Sequence, residues 1–126
     1  MRYPFAGVLL LGLLLSIGCG GASSKEDLER RSLQDVYDEA QKLSVDGLER
    51  QAAAYRDAIR SQQGEMEQLR QQRNSLPYDQ RNGDQAQKLD EEMKDLGTSI
   101  KNLRDRHRIY IERLQQKGVP TDEYVI

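Results

Sequence analysis

Residues 86–117 read AQKLDEEMKDLGTSIKNLRDRHRIYIERLQQK. Apolar or long side chains recur there at 86, 89, 93, 96, 100, 103, 107, 110, 114 and 117. The steps alternate three and four without a slip, which is the heptad rhythm of a coiled-coil helix. A second run keeps the same rhythm through Val45, Leu48, Ala52, Tyr55, Ile59, Gln62, Met66, Leu69, Arg73 and Leu76. If the chain folds at residue 81, each member of one set faces a member of the other, the two numbers of every pair summing to 162. The pattern predicts an all-α fold: an antiparallel coiled-coil helical hairpin over residues 45–117, with its turn at 77–85.

The layers of that hairpin can be named. Leu76 faces Ala86, Leu69 faces Met93, Met66 faces Leu96 and Ile59 faces Leu103. Tyr55 faces His107, Ala52 faces Tyr110 and Val45 faces Lys117, with a small residue beside a large one where Ala meets Tyr. On the flanks, Arg70 is expected near Asp90, and Arg56 falls near Arg104. Pro77 lacks an N–H and disfavours a helical residue before it, so the first long helix should end near Ser75. Asn82-Gly83 is a turn signal, and Asp84 is placed to cap the second helix with Gln87 three residues on. That helix should reach about Lys117, with Gly118 as a left-handed terminus and Pro120 preventing continuation. Residues 118–126 form a short C-terminal tail carrying Tyr124, Val125 and Ile126.

Upstream, Leu33, Val36, Ala40 and Leu43 make two further heptads, a helical extension over residues 25–44. The phase slips at Ser44-Val45-Asp46-Gly47. There Asp46 with Glu49 reads as a variant capping box, and Gly47 is a weak helix former. The chain either kinks or breaks at this seam, and the expectation is one long helix with a kink. An isolated amphipathic helix of this length is marginal in water. Its stripe therefore needs a cover, either by folding back towards Ile109 and Ile111 or by self-association.

Composition narrows the function classes. Of 126 residues 32% are charged and 6% aromatic, with no Trp, which suits long solvated helices better than a globular core. Arg2 is the one charged residue among the first 24, leaving 18 basic and 21 acidic side chains after it. That even mixture argues against a nucleic-acid partner, which calls for a basic face. One Cys excludes an internal disulfide, and one His without clustered Cys argues against structural zinc. No paired catalytic carboxylates, nucleophile arrangement or glycine-rich phosphate loop is visible, so neither an enzyme nor a cofactor is expected.

The leader is an address. Arg2 supplies a positive start, Phe5 to Leu15 is nearly unbroken apolar sequence, and small residues close it at Gly18-Cys19-Gly20-Gly21. The run is short for a membrane span of ~20 residues and has the proportions of a signal peptide. Leu15-Ser16-Ile17-Gly18-Cys19 resembles the lipobox of bacterial lipoproteins, with Ser16 where Leu is usual and Leu15 one place earlier. The resemblance covers the leader alone. It implies a signal peptide at 1–18, lipid attachment at Cys19, cleavage before it, and a flexible tether at 19–24. Two or three acyl chains would then hold the protein on a cell-envelope membrane, where a single chain would not. By the same resemblance, Gly20 in place of Asp favours the outer membrane of a diderm cell, facing the periplasm.

Three further clusters are candidate sites. Lys101, Arg104, Arg106, Arg108 and Arg113 form the densest basic stretch and make a possible face for an anionic envelope component. Asp90, Glu91, Glu92 and Asp95 are its acidic counterpart, at a helix start where acids suit the dipole. Gln62, Gly64 and Gly97 share one level of the hairpin and read as a bend point or register lock. His107 has no expected cleft or nucleophile around it, so its ring should pack at the seam edge. The composite expectation is a lipid-anchored envelope coiled coil with a non-enzymatic interaction, spacer or accessory-subunit role. It would engage a protein partner or a second copy through its helical surfaces. The alternative is an envelope-ligand module using residues 104–113, which salt-sensitive binding would reveal.

Overall fold

A computed structural model describes residues 25–126, and those residues are all-helical, with no strand among them. The order is α1 (Lys25–Arg30), α2 (Leu33–Lys42), α3 (Val45–Asn74) and α4 (Asp84–Gln116). Two single turns of 3₁₀ helix follow α3 and α4, at Tyr78–Gln80 and Asp122–Tyr124. The leader, Cys19 and the tether lie outside the described residues.

Helices α3 and α4, of 30 and 33 residues, pack against each other as a helical hairpin. At 1.5 Å per residue each is about 45–50 Å long. Nearly all the heptad positions read from the sequence turn inward. Leu48, Ala52, Tyr55, Ile59 and Gln62 of α3 are buried, as are Ala86, Leu89, Ile100, Leu103, His107, Tyr110 and Leu114 of α4. Lys117 departs from the pattern: it is exposed and caps the end of α4. The flanking ion pair falls one turn away from the expected one. Asp90 accepts from Arg73 Nε at 2.9 Å, while Arg70 turns to Glu67 on its own helix.

The seam before α3 is a break, not the expected kink. Leu43 and Ser44 are both extended, so the helical hydrogen-bond ladder stops and restarts. Ser44 caps the new helix by accepting from the Gly47 amide at 3.3 Å, a role the sequence reading had given to Asp46. Gly47 is there for space. A Cβ on it would lie 3.0 Å from Leu43 Cδ2 and 3.3 Å from Leu43 Cβ, so any larger residue makes Leu43 give way at the corner. A second difference is at α4, where Gly83 occupies the cap position and Asp84 is the first helical residue.

With the chain broken at 43–44, α1 and α2 run back along α4. Ser32 caps α2 by accepting from the Asp35 amide at 3.0 Å. Leu28, Val36 and Ala40 enter the core beside Leu48, Tyr55, Leu103 and Leu114. Leu33 and Tyr37, one turn apart on α2, stay about half exposed. The fold-back therefore thickens one end of the hairpin into a packed base. The end near the turn has only a small satellite core of Leu76, Ala86 and Leu89, with Leu69 against it.

Polar groups stitch the base. Tyr55 and Tyr110 stack at 5.6 Å between ring centroids, tilted by 31°. Tyr55 donates to the Leu28 carbonyl at 3.0 Å. Tyr110 accepts from Arg31 at 3.0 Å and faces Glu39, which also pairs with Arg31. Glu29 accepts from Ser99 and Asn102, and Arg106 donates to the Arg31 carbonyl at 2.7 Å.

Candidate anion-binding groove

The five basic residues singled out in the sequence do not share one face. Arg106 points towards the N-terminal segment, where it donates to the Arg31 carbonyl, and it also donates to the Asn102 carbonyl one turn back on its own helix. Arg113 is half-buried, donates to Gln116 at 3.2 Å, and leaves Nε without a partner. Lys101 is exposed and holds Asp105 at 2.8 Å, keeping that carboxyl below the usual range. Arg104 and Arg108 remain, one turn apart and exposed, on the same side of α4 as Lys101 and away from Arg106 and Arg113. The division follows from helix geometry, since residues two apart are about 200° apart around the axis.

The side carrying Arg104 and Arg108 is built up by the C-terminal tail. Gly118, at φ 75°, ends α4 in the left-handed conformation. Val119 and Gly118 donate back to the carbonyls of Leu114 and Gln115 at 3.0 Å each, a Schellman closure that turns the chain over its own helix. The 3₁₀ turn then sets Tyr124 into the base, buried, with its hydroxyl donating to Glu49 at 2.7 Å. Arg56 donates to the Glu123 carbonyl at 2.8 Å, and its guanidinium lies 5.8 Å from the Tyr124 ring centroid. Arg60 donates to the Val125 carbonyl at 3.0 Å. The carboxylates of Glu123 and Glu49, with burial, push the Tyr124 phenol up. Arg56, expected from the sequence to fall near Arg104, is turned to the tail and to Asp57.

Between α4 and this tail lies a groove of about 350 Å³. Arg104 and Arg108 line it together with His107, Ile111, Val125 and Ile126. Val125 is 60% exposed and Ile126 39%, so the apolar lining is open to an occupant. His107 is 7% exposed and hydrogen-bonds to the Tyr124 backbone, while its buried Nε2 has no partner. Burial holds its pKa below the ordinary value, Arg56 adds to that, and the backbone bond opposes both. The expectation that no cleft would surround His107 is corrected here, because the tail makes one.

Elsewhere the arm has a shallow hollow of about 470 Å³ bounded by Glu65, Glu92 and Asp95 over Leu69 and Leu96. Asp90 is taken by Arg73, and among the described residues no three His, Cys, Asp or Glu side chains are grouped to hold a metal. Gln62 is buried with its Oε1 unpartnered. Gly64 has nothing near its missing Cβ, and Gly97 meets only Met66 Cε, at 3.8 Å. Neither glycine is required by close packing. No described helix is long and apolar enough to cross a membrane. Compared with known proteins, the chain matches no family model, no curated protein and no solved structure.

Sequence reasoning missed the tail's part in the groove. The signal was Tyr124-Val125-Ile126, three apolar residues in succession just after the helix-ending Gly118 and Pro120.

Proposed function

We propose that this is a lipid-anchored cell-envelope protein whose antiparallel coiled-coil hairpin serves a non-enzymatic interaction, spacer or accessory-subunit role. The observation that carries this reading is Cys19, at the close of an apolar leader and followed by small residues. Burial of the α3 and α4 heptad positions supports the coiled-coil part. Glu29 of α1 bonds to Ser99 and Asn102, near the middle of α4. Residues 20–24 span at most about 18 Å when fully extended. A lipid on Cys19 would therefore keep the flank of the hairpin near the bilayer, leaving the arm and the tail side for partners. In diderm cells the absence of Asp at position 20 favours the outer membrane.

The test is metabolic labelling with a fatty acid. The wild type should be labelled and fractionate with membranes. Cys19→Ser should carry no label. Equal labelling of both would end the lipoprotein reading.

A second reading, an envelope-ligand module, draws on Arg104 and Arg108 beside the tail groove. Binding through these residues should weaken with salt, whereas association through apolar helix faces should not.

A further inference from the structure

We infer that the groove between α4 and the C-terminal tail binds a single-chain anionic amphiphile, with Arg104 and Arg108 on the acidic head and Ile111, Val125 and Ile126 along the chain. This rests on the second reading above, that the groove binds a ligand, and names its chemistry.

Two independent features converge. The first is charge. Arg104 and Arg108 stand one turn apart on the rim, and among the described residues no carboxylate is hydrogen-bonded to either, unlike Lys101, Arg31 or Arg73. Two guanidiniums at that spacing suit a carboxylate or phosphate, which accepts forked hydrogen bonds. The second is the lining. Val125 and Ile126 are among the few large apolar side chains left exposed, and both border the same groove as the arginines. An inorganic anion or a sugar-phosphate polymer would leave that apolar surface uncovered, whereas an alkyl chain covers it. His107 lines the same groove, close to both features, with its Nε2 buried inside the fold.

The rest of the basic stretch sharpens the ligand class. Arg106 and Arg113 are engaged elsewhere and Lys101 is paired with Asp105, so the face offers two cations and not five. That is too few for a polyanion, whose affinity comes from many phosphates at once, and enough for one acidic head.

His107 is the chain's single histidine, which gives a direct reporter. The full chain is held in neutral phosphatidylcholine nanodiscs and its imidazole resonances are followed by NMR. Octanoate, octyl phosphate, octanol and inorganic phosphate are titrated separately. Octanoate or octyl phosphate should shift the His107 signals saturably, and the better of the two tells whether the natural head is a carboxylate or a phosphate. Arg104→Gln with Arg108→Gln, checked for retained helicity and melting temperature, should weaken that binding about tenfold or more, as expected for lost charge-assisted bonds. Inorganic phosphate binding as tightly as octyl phosphate would overturn the amphiphile while sparing a plain anion site. Octanol binding as tightly as octanoate would remove any role for the arginines. No saturable shift with either anionic probe would overturn both the inference and the ligand-module reading.

Discussion

The hydroxyl of Tyr55, fully buried in the hairpin, donates to the backbone carbonyl of Leu28 at 3.0 Å. This one bond joins the deepest ring of α3 to the first helix of the chain, 27 residues earlier. Burial raises the phenol's pKa, against the opposing pull of Arg31 and Arg106. The contribution is therefore complete below the unfolded-state value near 10 and is lost as pH rises through the raised folded value. Tyr55→Phe keeps the ring and its stack on Tyr110 but leaves the Leu28 carbonyl without its donor. The expected cost is about 1–2 kcal/mol, concentrated at the N-terminal segment. Amide exchange should quicken over residues 25–31 while the buried middle of α3 and α4 stays slow. Unchanged exchange at 25–31 would show that α1 is held by its other bonds alone.

The three interior glycines should respond in opposite directions to alanine. Gly64 has open space at its Cβ position, and Gly97 meets only a flexible methionine tip at ordinary contact distance. Alanine at either site should stabilise by about 0.5–1 kcal/mol, the usual difference in helix propensity. Gly47 is wedged against Leu43, so alanine there crowds the corner. Overpacking costs about 1–3 kcal/mol and should outweigh the propensity gain. Urea unfolding of the three single variants checks this. Stabilisation by Gly47→Ala would mean that the corner can open freely, and destabilisation by Gly64→Ala or Gly97→Ala would assign those glycines a packing role.

How far the sequence discloses this arrangement depends on how local the cause is. Heptad spacing survives in the buried set from Leu48 to Gln62 and from Ile100 to Leu114 because each position is decided by one helix face meeting another. The phase slip near residue 45 was equally visible, but its cause was not. The break lies at Leu43 and Ser44, and Gly47 serves a close approach that exists only after the chain has folded back. The tail is the extreme case. Gly118 announces a left-handed turn, yet where Tyr124 lands depends on Glu49, 75 residues away in the chain. The basic stretch misled for a simpler reason: adjacency in sequence is not adjacency on a helix, and Arg106 and Arg108 serve different neighbours.

Acid should weaken the protein through His107. Its folded-state pKa is lowered, first by burial and then by Arg56, against the backbone bond from Tyr124. The unfolded chain binds a proton near pH 6.5, and the folded chain binds it only at lower pH. Between those two values the unfolded state holds more protons, so stability falls as pH falls. The full contribution is present above about pH 6.5 and is lost as pH drops through the lowered folded value. One proton limits the slope to about 1.4 kcal/mol per pH unit. Among the charges near the imidazole, Arg56 opposes its protonation; Arg104 and Arg108 line the same groove, and Glu49 and Glu123 lie beside Tyr124. Asp105, whose folded pKa is lowered from 3.8, loses its contribution only in more acidic solution and does not confuse this window. Urea unfolding between pH 7.5 and 5 should show the loss in wild type and a flatter profile in His107→Gln. Because the ring is buried beneath the tail and burial disfavours its charged form, amide exchange in residues 121–126 should rise over the same interval in wild type. An identical slope in His107→Gln would assign the acid sensitivity to other groups and detach the tail's hold from His107.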